Sequence, residues 1–174
     1  LIEIDDENAD SANFTESIIT SKRLILGDGS KIEGQLFDAF GDRSTNQVAD
    51  VGGNKTTSLV ISAMAETRIY LNFDLFVIPI AGGYQDLQNS IKTTEMIKSF
   101  NKPIVYALSR ARCDLSDTDG IYFQYADFFS AFPNAPYYVL RDSHAVDLSR
   151  KLRKSIIELS SETKPLEALQ DKLV

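Results

Sequence analysis

The run Leu75-Phe76-Val77-Ile78-Pro79-Ile80 constrains the fold of this chain more than any other segment. It is apolar at both alternating positions, as a strand covered by helices on each face must be, and it predicts the middle of a parallel sheet. Around it, residues 1–4, 47–50, 73–80, 103–108 and 137–141 read as strands, and 11–21, 31–40, 56–68, 85–100 and 143–160 as helices. In the 56–68 segment Leu59 and Ala63, with Val60 and Met64, recur at helical spacing, as do Leu87, Ile91, Ile97 and Phe100 in the next helix, so each can lay one face on a sheet. The alternation predicts an α/β fold of three layers, a mainly parallel sheet with helices on both faces. Residues 114–136 break the rhythm. Ser116-Asp117-Thr118-Asp119-Gly120 reads as a turn and 121–132 as an aromatic-rich short helix or lid, inserted between the last two strands.

Composition sets the outer limits. With 174 residues and 43% hydrophobic content the chain can bury one core, so 1–174 is expected to form a single domain. A net charge of −7 excludes a general polyanion binder, while leaving room for a local basic face. Cys113 is the single cysteine, which rules out an internal disulfide, points to a reducing, cytoplasmic setting and reads as a bystander thiol. No apolar run reaches the roughly 18 residues of a membrane span. The chain opens Leu1-Ile2-Glu3-Ile4, in mid-strand and without a signal-peptide pattern, so a preceding segment is expected.

In a doubly wound sheet, ligands bind beyond the carboxyl ends of the strands, and the residues there are informative. The predicted strands run into Asp5-Asp6-Glu7-Asn8, Asp50-Val51-Gly52-Gly53-Asn54, Ala81-Gly82-Gly83, Ser109-Arg110 and Arg141-Asp142-Ser143. Acidic groups from two strand ends beside glycine-rich turns can hold hydrated Mg²⁺ and orient a water next to a phosphate chain. Taken in order, Asp5, then Asp50-Val51-Gly52-Gly53, then a hydrophobic strand closing on Pro79, then a long helix and Pro103-Ile104-Val105-Tyr106-Ala107-Leu108-Ser109-Arg110, resemble the ParA/MinD group of deviant Walker-motif ATPases. Glu3-Ile4-Asp5-Asp6-Glu7-Asn8 and Asp50-Val51-Gly52-Gly53-Asn54 suggest its StbB-type plasmid-stabilisation branch.

The resemblance covers most of residues 1 to 150 and implies a P-loop NTPase-like fold, ATP and Mg²⁺ held between two subunits, and a role in positioning DNA or another cargo. It implies that Asp5 orients the attacking water and that Asp50 is the acid reaching Mg²⁺. Gly52 and Gly53 would form the second switch, Asn54 and Lys55 would lie beside the nucleotide, and Ser109 and Arg110 would stand near the base. The chain departs from the family in two ways. No glycine-rich phosphate loop with lysines stands ahead of the first matching strand, and Ser109 replaces the asparagine that often contacts the base.

Several of these residues have plainer readings. Gly52-Gly53-Asn54-Lys55-Thr56-Thr57 mimics the close of a P-loop, yet the pattern requires glycines where Ala49 and Asn54 stand. Lys55 and the amides opening the next helix still form an anion-binding feature, or Asn54 or Thr56 simply caps that helix. Asp5, Asp6 and Glu7 also suit the solvated start of a helix. Pro79 reads as a terminator of pairing, and His144 as a surface or capping residue. The 143–160 helix puts Leu148, Leu152, Ile156 and Leu159 on one side and Arg150, Lys151, Arg153 and Lys154 largely on another, a solvated basic face or a DNA contact. Tyr122, Phe123, Tyr125, Phe128, Phe129 and Phe132 read as packing for the insertion. No serine, cysteine and histidine pattern supports covalent hydrolysis.

Two functions follow. One is an ATPase that couples nucleotide turnover to dimerisation and to association with DNA or an adaptor protein. The other is a catalytically silent module of the same fold that holds a protein partner.

Overall fold

The structure, a computed structural model, describes residues 1–4, 20–25 and 32–161. The predicted helix at 11–21 therefore falls almost wholly outside the described residues. In chain order the elements are strands β1 (Ile2–Ile4) and β2 (Lys22–Leu24), helix α1 (Ile32–Phe40), β3 (Ala49–Val51), α2 (Asn54–Thr67), β4 (Phe76–Ile80), α3 (Tyr84–Ile97), β5 (Ile104–Ala111), α4 (Thr118–Gln124), α5 (Ala126–Ala131), β6 (Tyr137–Arg141), α6 (His144–Leu152) and α7 (Ile156–Ser161). The fold is α/β, with every described strand pair parallel, in two three-stranded sheets ordered β2-β1-β3 and β4-β5-β6. The backbone groups into two compact units, Leu1–Val60 with Ser143–Val174, and Ile61–Asp142.

In the first unit β1 is central, and Ile2, Glu3 and Ile4 are all buried. Strand β2, which the sequence pattern does not reveal, is added by pairing: Lys22 donates its N–H to the Leu1 carbonyl at 2.9 Å, and the Leu1 amino group donates to the Thr20 carbonyl at 2.9 Å. Helix α1 matches its predicted span and buries Ile32, Leu36, Ala39 and Phe40, one stripe of a helical surface.

The predicted last helix is broken in two. Arg153 takes a left-handed conformation with φ 55°, and its N–H turns back to the carbonyls of Arg150 and Ser149. A capping box restarts the helix: the Ser155 hydroxyl accepts from the Glu158 N–H, and the Glu158 carboxylate accepts from the Ser155 N–H at 2.8 Å. The break turns Ile156, expected on the inward side, out to an exposed position.

In the second unit the long helix and the insertion lie on the same face of β5. The Thr94 hydroxyl of α3 hydrogen-bonds the Tyr106 hydroxyl at 2.9 Å, while Phe128 and Phe132 pack on the same ring with centroids 5.2 and 4.6 Å away. The insertion is therefore largely core, as its aromatics predicted, although Tyr122 and Phe123 face solvent. A sequential strand order with crossovers of one hand places successive helices on one side of a sheet. The opposite face carries Val77, Pro79, Tyr138 and Leu140, and it is open, with Val77 57%, Tyr138 69% and Leu140 53% exposed. The expectation that the 75–80 run sits mid-sheet and is covered on both faces fails for these reasons: β4 is an edge of its three-stranded sheet, and the described helices cover its other side. Pro79 does not end the strand. The Phe76 N–H points to the Pro103 carbonyl on the β5 side, so two and four residues on Ile78 and Ile80 do the same, and the Pro79 nitrogen falls on the open edge, where its missing N–H breaks no bond.

Candidate functional site

The carboxyl ends of β1 and β3 form the candidate site in the first unit. The ladder aligns Glu3 with Asp50 and Ile4 with Val51, and it continues one step further because the Gly52 N–H donates to the Ile4 carbonyl at 2.8 Å. Both predicted loops therefore leave the sheet side by side. Asp50 lies within β3, one residue before its last residue Val51, and its side chain is exposed on the sheet face that Glu3 occupies. On its other side Glu3 is aligned with Arg23 of β2. At 4% exposure Glu3 is the most buried charged residue described, and sequence reasoning missed it. Alternation with Ile2 and Ile4 suggests a solvent-facing residue, and only the central position of β1 puts both faces inside.

After Val51 the chain enters α2 directly. The Thr57 hydroxyl donates to the Gly52 carbonyl at 2.9 Å and the Thr57 N–H to the Gly53 carbonyl at 3.0 Å, so Thr57 is the side chain that hooks back onto the loop. The first amides of α2, from Asn54 and Lys55 onward, have no partner within the helix by geometry, and the helix dipole gives that end partial positive character. Lys55 is exposed beside them. Gly53 has open space where a side chain would begin and no positive φ, so neither crowding nor backbone conformation demands glycine there.

The remaining predicted residues fall elsewhere. Asp5 lies outside the described residues. Ser109 and Arg110 belong to β5 in the second unit, where Ser109 is half-buried and its hydroxyl donates to the Ile80 carbonyl at 3.4 Å, and Arg110 is exposed. Arg150, Lys151 and Arg153 are exposed around the end of α6, with Lys154 half-buried after it.

Mg²⁺ bound mainly by phosphate and water takes one or two protein carboxylates, and an exposed Asp50 fits that demand. No group of three or more His, Cys, Asp or Glu side chains among the described residues forms a self-sufficient metal site. Among the same residues no helix is long and apolar enough to cross a membrane. Comparison of the chain with protein-family models, with curated proteins and with solved structures returned no match.

Proposed function

We propose that this chain is the switch-bearing part of a ParA/MinD-like, P-loop NTPase-like ATPase of three-layer architecture. In this reading it works in the cytoplasm in plasmid partition, stabilisation or DNA transfer, and it dimerises around ATP. The observation that carries the proposal is the strand-end arrangement in the first unit. Asp50 stands on an edge strand aligned with β1, and a two-glycine turn leads straight into the exposed start of α2.

In this reading Asp50 reaches a phosphate-bound Mg²⁺, whose charge would neutralise the phosphate oxygens. Asp5 orients the attacking water. Gly52 and Gly53 let their backbone approach the terminal phosphate and shift when it leaves, and the open space at Gly53 supports such an approach. Lys55 and the first amides of α2 add positive potential; Ser109 and Arg110, in the second unit, are assigned to the nucleotide by the resemblance alone. Arg150, Lys151, Arg153 and Lys154 contact DNA, and an adaptor protein is a further partner. The test is nucleotide-linked assembly: the protein expressed from its full reading frame should dimerise with ATP and Mg²⁺ and stay monomeric with ADP, as read by light scattering. Equal mass in both nucleotides would count against it.

The second reading is a catalytically silent module that binds a protein partner. It is favoured by the open apolar face of Val77, Tyr138 and Leu140. A glycine-rich loop ending in Lys-Ser or Lys-Thr ahead of β1 would decide for the ATPase.

A further inference from the structure

Strand β5 outruns its neighbour: pairing with β4 ends at Ile80 and Leu108, while β5 continues to Ala111. In that overhang the register with β6 slips between Ser109 and Ala111, so Arg110 is the extra residue of a β-bulge. Its φ is 63°, in the left-handed region that disfavours any side chain with a Cβ.

The kink is imposed from α4. Gln124 spans it, its Nε2 donating to the Arg110 carbonyl at 3.0 Å and its Oε1 accepting from the Arg112 N–H at 2.9 Å. Tyr125 locks the preceding residue, its hydroxyl donating to the Ser109 carbonyl at 2.7 Å. Tyr125 is itself buried, at 2% exposure, and it packs beside Gly82, whose φ of 89° favours glycine.

A half-buried glutamine and a buried tyrosine thus hold an exposed arginine in a conformation it would not choose. No ion pair or side-chain hydrogen bond engages the Arg110 guanidinium among the described residues, and the nearby Asp114 is matched to Arg141 at 3.6 Å. Bulges re-aim side chains next to binding sites, and unfavourable backbone conformations at non-glycine residues persist where function holds them. The carboxyl end of a parallel strand is where ligands of such sheets bind. We propose that Arg110 is an oxyanion anchor for a phosphoryl group and that Gln124 and Tyr125 are its positioning residues. Only the assignment of that phosphoryl group to a nucleotide, and not to free phosphate, rests on the ATPase reading.

The test compares wild type, Arg110→Gly, Arg110→Lys and Tyr125→Phe in calorimetric titrations with ATP and with inorganic pyrophosphate, below the melting range of every variant. Arg110→Gly permits the left-handed kink and removes the whole exposed side chain with its guanidinium, so it should stay folded while binding weakens about tenfold or more. Arg110→Lys should lose part of the affinity through loss of the two-pronged contact. Tyr125→Phe keeps the arginine and should weaken binding through its placement. In wild type the Arg110 Nε–Hε NMR signal should move on addition of either probe, a response that a purely structural arginine would not give. Binding of pyrophosphate and ATP alike identifies a phosphate anchor, and binding of ATP alone a nucleotide subsite; both uphold the proposal. Unchanged affinity in Arg110→Gly, or no binding of either probe by wild type, would overturn it. Loss of binding in Arg110→Gly together with intact ATP turnover in Asp50→Ala would leave the anchor standing and remove the ATPase assignment of Asp50.

Discussion

Glu3 and Asp50 stand opposite each other across the β1 and β3 ladder, one buried inside the sheet and the other open to solvent. Burial makes Glu3 a fixture of the core, while the Asp50 side chain stands at the surface.

Replacing Glu3 by Ala should destabilise the protein by about 2 to 3 kcal/mol, because a buried polar group with Arg23 aligned beside it is removed from a central strand. Urea denaturation reads this directly. A shift under about 0.5 kcal/mol, typical of surface sites, would mean that Glu3 is not held as described.

Phe128 packs against Tyr106, Phe129, Phe132 and Tyr137 and is among the largest fully buried side chains. Phe128→Ala should cost about 3 to 5 kcal/mol. Phe123→Ala, at an exposed site on the same insertion, should leave the melting temperature within error.

The turn at Asp114 gives a pH signature. Its carboxylate accepts from the Ser116 N–H at 3.0 Å and the Ser116 hydroxyl at 2.8 Å; these bonds, against an opposing desolvation and with a smaller aid from Arg141, hold its pKa below the ordinary aspartate value. A depressed folded pKa stabilises above the unfolded value and loses that contribution as pH falls through the folded one. Carboxyl ¹³C NMR should place the Asp114 midpoint below that of a free aspartate, and Ser116→Ala should move it upward. An unmoved midpoint in Ser116→Ala would contradict the assignment.

The break between α6 and α7 is equally open to test. Ser155→Ala removes the hydroxyl that accepts from the Glu158 N–H, leaving only the backbone half of the capping box, and should cost about 1 kcal/mol, whereas Arg153→Gly relieves the left-handed residue and should stabilise by up to about 1 kcal/mol. Opposite signs in thermal melts are the expected result.

How much of this was readable follows from where each signal lies. The apolar 75–80 run disclosed a strand, but not that β4 sits at an edge, since the placement of helices on one face depends on strand order. Strand β2 is the three residues Lys22-Arg23-Leu24, too short for any periodicity, and it forms by pairing with Ile2, Glu3 and Ile4 of β1. Ser155 and Glu158 spelled out a helix start at three-residue spacing, yet the leucines on either side mask it as one continuous helix. Asp50 and Gly52 to Lys55 lie at a strand end as the pattern indicated, because a strand followed by glycines and then helical spacing is a local signal. The kink at Arg110 is not local: Gln124, fourteen residues later, creates it.

The most direct measurement is steady-state ATP hydrolysis by the protein from its full reading frame, wild type against Asp50→Ala. Asp50 is exposed on an edge strand, so the substitution should leave the melting temperature nearly unchanged. The account predicts turnover in wild type and its loss in the variant. Equal turnover in the two proteins would contradict it.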